Sequence, residues 1–157
     1  MGEPKKHLLK IGALDVLSRV LLGFFFLIWY LSFPGYRIGN TPRQIFLFAL
    51  GILFGTLIEI AISLLIVKGY TIGIVLKTIY NLSFGYFCFM AFWSIFLAAA
   101  SETFRSKAGI YLLLFIASGL HFVFSVYFQY TAMFYKPVRA YLSTLKNERL
   151  QKTKKGR

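Results

Sequence analysis

Carboxylates are scarce in this chain. Asp and Glu number five against eighteen Lys and Arg, for a formal net charge of +13. No paired-carboxylate motif, activated nucleophile or phosphate-cradling glycine loop is present, so the residues predict a protein that is not an enzyme. The single cysteine, Cys88, excludes an internal disulfide and implies no redox role. The two histidines, His7 and His121, stand far apart, and neither has a second His or Cys at helical spacing. No metal site and no cofactor are therefore expected. A continuous basic face is also missing. The positive charge sits at the termini and in short connections between apolar runs, which argues against a nucleic-acid partner. The N-terminal apolar stretch contains Asp15 and Arg19, runs past twenty residues and has no small-x-small cleavage site, unlike a cleavable signal peptide.

Apolar runs, by contrast, are plentiful. At 58% hydrophobic and 19% aromatic, the chain is too apolar for a soluble domain with a polar surface. The pattern predicts an all-α fold, an integral membrane bundle of four transmembrane helices at residues 11–33, 45–67, 78–100 and 108–135. A basic cytosolic tail at 136–157 follows. The lipid bilayer is then the first partner.

The second run, Ile45–Val67, has twenty-three residues and one ionisable group, Glu59. At ~1.5 Å per residue it can cross a hydrocarbon core of ~30 Å. Gly51, Gly55, Glu59 and Ser63 follow at four-residue steps, so one stripe is small or polar. Small residues at that spacing admit a neighbouring helix, and a carboxylate in lipid needs a partner inside the protein. The first run has Asp15 and Arg19 at i and i+4, with Gly23 on the same stripe. The third has Asn81, Gly85 and Cys88, and the fourth has Ala117, His121, Ser125 and Gln129. Such stripes mark spans that pack on one another.

Thirteen basic residues fall in the N-terminal flank, the connection containing Lys68 and Lys77, and the tail. Four (Arg37, Arg43, Arg105 and Lys107) fall in the other two connections. The excess places both termini in the cytosol. Arg19 and Glu59 then lie eight residues from the cytosolic ends of their spans, ~12 Å deep. An Arg19–Glu59 contact is expected, with Asp15 completing a triad. The triad reads as an ion-pair clamp on helix register. The alternative is a proton or ion pathway stepping from His121 to Glu59 to Asp15. His121, Ser125 and Gln129 read as an interhelical hydrogen-bonding stripe.

Beyond Lys136-Pro137, the residues Val138, Tyr141, Leu142 and Leu145 recur at i, i+3, i+4 and i+7. They predict a short amphipathic helix on the membrane surface, with Pro137 in its first turn. Lys154-Lys155-Gly156-Arg157 places two lysines three and four residues from the end of the sequence. This resembles the dilysine retrieval signal read by the COPI coat on endoplasmic-reticulum membrane proteins. The resemblance implies the COPI coat as a partner through Lys154 and Lys155 and residence in the endoplasmic reticulum, with cycling to the Golgi.

Four short-looped spans with a small tail are similar to small tetraspan proteins of the early secretory pathway. The Gly51…Glu59 run resembles the second span of the COPI-associated Golgi vesicle proteins. Phe84-Gly85-Tyr86 stands where those proteins have a Gly-Arg motif, and no site residue is carried over. The four-span eicosanoid and glutathione enzymes share length and topology, but their F-E-R-V…N-C-x-E run is absent. The function implied is a non-enzymatic accessory, scaffold or trafficking factor that contacts other membrane proteins through its helices. The alternatives are a regulatory subunit of a lipid-modifying enzyme complex, or a small ion, proton or lipid transporter.

Overall fold

A single run of apolar residues can satisfy its backbone polar groups within itself as a helix, and the described residues do so. The computed structural model describes residues 3–32, 42–98 and 108–155. They form five helices: α1 (Glu3–Ser32), α2 (Pro42–Val67), α3 (Thr71–Ala98), α4 (Ala108–Phe134) and α5 (Lys136–Lys155). The four helices α1 to α4 are long and apolar enough to cross a membrane. The expected helix break at Pro34-Gly35, the connections carrying Arg37, Arg105 and Lys107, and Gly156-Arg157 lie outside the described residues. So do the side chains of Lys154 and Lys155.

The helices run up, down, up and down in a ring. α1 packs on α2, α2 on α3, α3 on α4, and α4 closes back on α1 in the most extensive contact of the four. Below, the near end is the one holding Glu3, the α2–α3 turn and Phe134; the opposite one is the far end. The outward faces are apolar, with Leu47, Leu50, Phe54, Leu57 and Ile58 of α2 all exposed. An apolar surface of that extent marks contact with lipid or with other protein.

The α2–α3 turn has a defined chemistry. Tyr70 N–H donates to Leu65 O at 2.9 Å and Gly69 N–H to Ile66 O at 2.7 Å. These are the two bonds of a Schellman cap, which needs a left-handed residue between them, and Gly69 supplies it at φ +75°. The turn is so short that α3 begins at Thr71. Its expected start lay between Tyr70 and Thr78, with residue 78 preferred and Lys77 assigned to a cytosolic connection. That placement is corrected: Lys77 lies inside α3 and is fully buried. The physical reason is that a lysine normally ends a span unless carboxylates inside the bundle neutralise it, and here two do.

The near end is closed by a hydrophobic plug of Leu8 and Ile11 from α1, Ile62 and Ile66 from α2, and Phe128 and Ala132 from α4. Val138 and Leu142 of α5 are part of it, and Tyr141 and Leu145 pack against it. The apolar face of α5 expected at the membrane surface therefore meets the end of the bundle. Arg139, Lys146 and Lys152 on its other faces are exposed. Arg149 lies over the Tyr70 ring with its guanidinium 3.9 Å from the centroid.

Candidate functional site: a buried charge cluster

Each of the four long helices sends polar side chains to one level of the bundle interior. α1 contributes Asp15, Ser18 and Arg19, α2 Glu59, α3 Lys77 and Tyr80, and α4 His121. Asp15, Glu59, Lys77 and His121 are all 0% exposed. The ammonium of Lys77 is at the centre. It donates to Asp15 Oδ2 at 2.5 Å and to Glu59 Oε1 at 2.8 Å, so one cation ties α1, α2 and α3 together. Its Nζ also lies 5.0 Å from the centroid of the Tyr80 ring, within cation–π range.

Arg19 Nε and Glu59 Oε2 lie 3.5 Å apart, a looser pair than those of Lys77. The guanidinium runs past Gly55, where a Cβ would stand 2.9 Å from Arg19 Nη2. Gly55 therefore makes room for a side chain and not for a helix backbone. Gly51, expected on the same packing stripe, is exposed, and a Cβ there would have nothing within 4 Å. The i+4 stripe of α2 thus turns out of the interface towards its N-terminus. Asp15 completes the cluster through Lys77, not through a direct pairing with Arg19.

Tyr80 and His121 form the other side of the cluster. The Tyr80 hydroxyl lies 3.0 Å from Glu59 Oε2 and 2.9 Å from His121 Nε2. His121 Nδ1 faces Ser18 Oγ at 3.0 Å, and the ring packs edge-on to Phe84 at 4.9 Å between centroids. His121 Nε2 is 3.6 Å from Glu59 Oε1, so the histidine belongs to the charge cluster and not to a separate stripe with Ser125 and Gln129. Those two residues build a neutral polar belt between α3 and α4. Ser125 Oγ donates to Asn81 Oδ1 at 2.5 Å, Asn81 Nδ2 to Gln129 Oε1 at 2.7 Å, and Gln129 Nε2 to Thr78 Oγ1 at 2.6 Å.

Ligand atoms of Asp15, Glu59 and His121 fall within 4.8 Å of one another, close enough to share a cation. The two carboxylates share the Lys77 ammonium. The formal charges of Asp15, Glu59, Lys77 and Arg19 cancel, which is the condition for keeping such groups inside an apolar bundle. One acceptor is left over: Asp15 Oδ1 has no hydrogen-bond partner among the described residues.

The far half is different in kind. Phe26 and Trp29 of α1, Phe48 of α2, Phe87 of α3, and Phe115 and Phe122 of α4 line a cavity of about 510 Å³. Among the described residues, no charged side chain lines it.

Three members of the cluster, Ser18, Lys77 and Tyr80, escape a reading of the sequence that follows one stripe per span and treats lysine as a flank. A charge count carries the missing signal. The expected spans held two acids, Asp15 and Glu59, against one base, Arg19, so a second cation was owed. Lys77, Tyr80, Asn81 and Phe84 at i, i+3, i+4 and i+7 mark the face that supplies it. No family profile, curated protein or solved structure matches the chain, so the functional reading rests on this geometry.

Proposed function

We propose that this chain is a non-enzymatic four-span protein of the endoplasmic-reticulum membrane, cycling with the early Golgi and acting as an accessory, scaffold or trafficking factor. The observation that supports it best is the self-neutralised cluster: its acids are bound by Lys77 and Arg19 from within the same bundle. Charges used that way fix which helix faces which, and present no reactive group to a substrate. With Lys77 moved inside, twelve basic residues still flank the near end against four at the far end, which favours cytosolic termini. α5 then lies at the cytosolic face with Arg139, Lys146 and Lys152 towards anionic headgroups. The apolar outer faces are offered to lipid and to the helices of other membrane proteins.

Lys154 and Lys155 are assigned to retrieval by the COPI coat, a reading that requires Arg157 to carry the free C-terminal carboxylate. Its test is the location of an N-terminally tagged chain carrying Lys154→Ser and Lys155→Ser. Movement forward to the Golgi or cell surface is expected. An unchanged location refutes the retrieval assignment. The cluster also favours a second reading, a small proton or ion transporter, because Asp15, Glu59 and His121 converge on one point. Loss of a flux in Glu59→Gln at unchanged expression selects that reading, and loss of expression selects the clamp.

A further inference from the structure

We infer that Glu59, Tyr80 and His121 form a proton-binding relay, in which one proton taken from water is stored on Glu59 while His121 changes tautomer. The inference goes beyond the trafficking reading and does not depend on it. It follows from counting hydrogens at two hydroxyl groups.

The Tyr80 hydroxyl has one hydrogen and two close partners, Glu59 Oε2 at 3.0 Å and His121 Nε2 at 2.9 Å. The Ser18 hydroxyl also has one hydrogen and two partners, the Asp15 backbone oxygen at 2.7 Å and His121 Nδ1 at 3.0 Å. An ionised carboxylate only accepts, and a neutral imidazole donates through one nitrogen and accepts through the other. Two arrangements with a neutral ring satisfy the contacts of both ring nitrogens. In the first, Glu59 is ionised. Tyr80 donates to Glu59, His121 Nε2–H donates to the Tyr80 oxygen, and Ser18 donates to Nδ1. In the second, Glu59 is protonated and donates to the Tyr80 oxygen. Tyr80 then donates to Nε2, Nδ1–H donates to Ser18, and Ser18 donates to the Asp15 carbonyl.

One added proton converts the first arrangement into the second. It bonds to Nδ1 as the Ser18 hydroxyl turns to the Asp15 carbonyl. Nε2 releases its proton to the Tyr80 oxygen, and Tyr80 passes its own to Glu59 Oε2. New bonds to hydrogen stand at Nδ1 and Oε2, one is broken at Nε2, and Tyr80 ends as it began. No atom needs to move beyond hydrogen-bond distance.

Loading the proton weakens the clamp. Glu59 Oε1 accepts from Lys77 and Oε2 faces Arg19, and neutral Glu59 holds neither cation by charge. Among the described residues, Asp15 is then the one anion of the cluster for two cations. The charged and titratable groups facing the relay are Asp15 and Arg19 from α1 and Lys77 from α3. α5 places none there among the described residues. Proton uptake is thereby linked to the grip between α1, α2 and α3.

Full-length protein labelled with ¹⁵N-histidine and reconstituted in lipid tests this directly. The chain has two histidines, so His7→Gln leaves a single ring signal. On lowering the pH between about 9 and 4, the His121 ring is expected to change from Nε2–H to Nδ1–H while staying neutral. The infrared band of protonated Glu59, identified by its loss in Glu59→Gln, is expected to appear with the same midpoint. Tyr80→Phe should uncouple the two events, parting their midpoints by about one pH unit, a tenfold change in proton affinity. The inference is overturned if His121 keeps one tautomer throughout, if it becomes doubly protonated while Glu59 stays ionised, or if Tyr80→Phe leaves the shared midpoint unchanged. A chain with Tyr80 and Glu59 intact decides the first outcome from the histidine ring alone, so a Tyr80 or Glu59 variant that fails to fold does not block the test.

Discussion

The two halves of this bundle solve the same packing problem in opposite ways. The near half fills its interior with charge: Lys77 between two carboxylates, His121 and Tyr80 beside them, and the plug of Leu8, Ile66 and Phe128 sealing the end. The far half is joined by rings, several of them half exposed. Tyr30 stacks on Phe48 with centroids 4.2 Å apart, Phe26 approaches Phe87 at 6.3 Å and Phe92 approaches Phe115 at 5.6 Å. The 510 Å³ cavity is in the ring-packed half. Charge gives directional contacts that specify one register. Aromatic pairs have preferred geometries too, but these add only about 0.5–1.5 kcal/mol beyond area burial. The near half should therefore be the part that is intolerant of change.

The strongest way to break that comparison is Lys77→Met. It leaves Asp15 and Glu59 buried without their ammonium, and removing one partner of a buried pair costs about 3–5 kcal/mol. Equilibrium unfolding in detergent should show a loss of that size, or the variant should fail to accumulate. Combining Lys77→Met with Asp15→Asn leaves Glu59 paired with Arg19, restores neutrality and should recover most of the loss. A double variant as unstable as the single one would mean that Lys77 matters for its volume and not its charge.

A smaller effect is expected at Gly73, where α3 leaves the turn against the last turn of α2. A Cβ there would stand 2.8 Å from Ile66 N and 2.9 Å from Leu65 Cβ, and backbone cannot yield as a side-chain tip can. Gly73→Ala should cost about 1–3 kcal/mol as overpacking, measured in the same unfolding experiment. Smaller again is the neutral belt. Asn81→Ala leaves Ser125 and Gln129 each short of a partner, and hydrogen bonds between helices in a bilayer are worth about 0.6 kcal/mol, at most about 1.7. A loss well above that range would place Asn81 with the charge cluster.

The helical class and the four apolar runs are readable from hydropathy because they depend on length and composition, which are local. The pairing of Arg19 with Glu59 is readable too, since depth along two oppositely directed helices follows from counting residues. Lys77 is not. Whether a lysine ends a span or enters it depends on whether carboxylates on other helices reach it, and no window around residue 77 holds that information. Gly51 shows the same limit from the other side. Its stripe with Gly55 and Glu59 is real along the sequence, but helix rotation is set by the Glu59–Lys77 pair, and that rotation turns Gly51 outward. The near-end role of Val138 and Leu142 is legible as an apolar face, but not as to what covers it. An amphipathic face has one pattern whether it meets lipid or protein.

Gly119 in α4 offers the gentlest test, because it asks whether the far half has the slack that its cavity implies. It lines the cavity, and a Cβ there would have nothing within 4 Å. A mid-helix glycine costs about 0.5–1 kcal/mol relative to alanine through its conformational freedom in the unfolded chain. With no contact to oppose it, Gly119→Ala should gain up to that amount, the opposite sign from Gly73→Ala for the same change of one methyl group. Unfolding midpoints of the two variants, measured side by side in one detergent, give the contrast without reference to any absolute stability. If both substitutions destabilise, the far half is as tightly specified as the near one. The division between a charge-locked half and a ring-packed half would then describe chemistry alone and not tolerance.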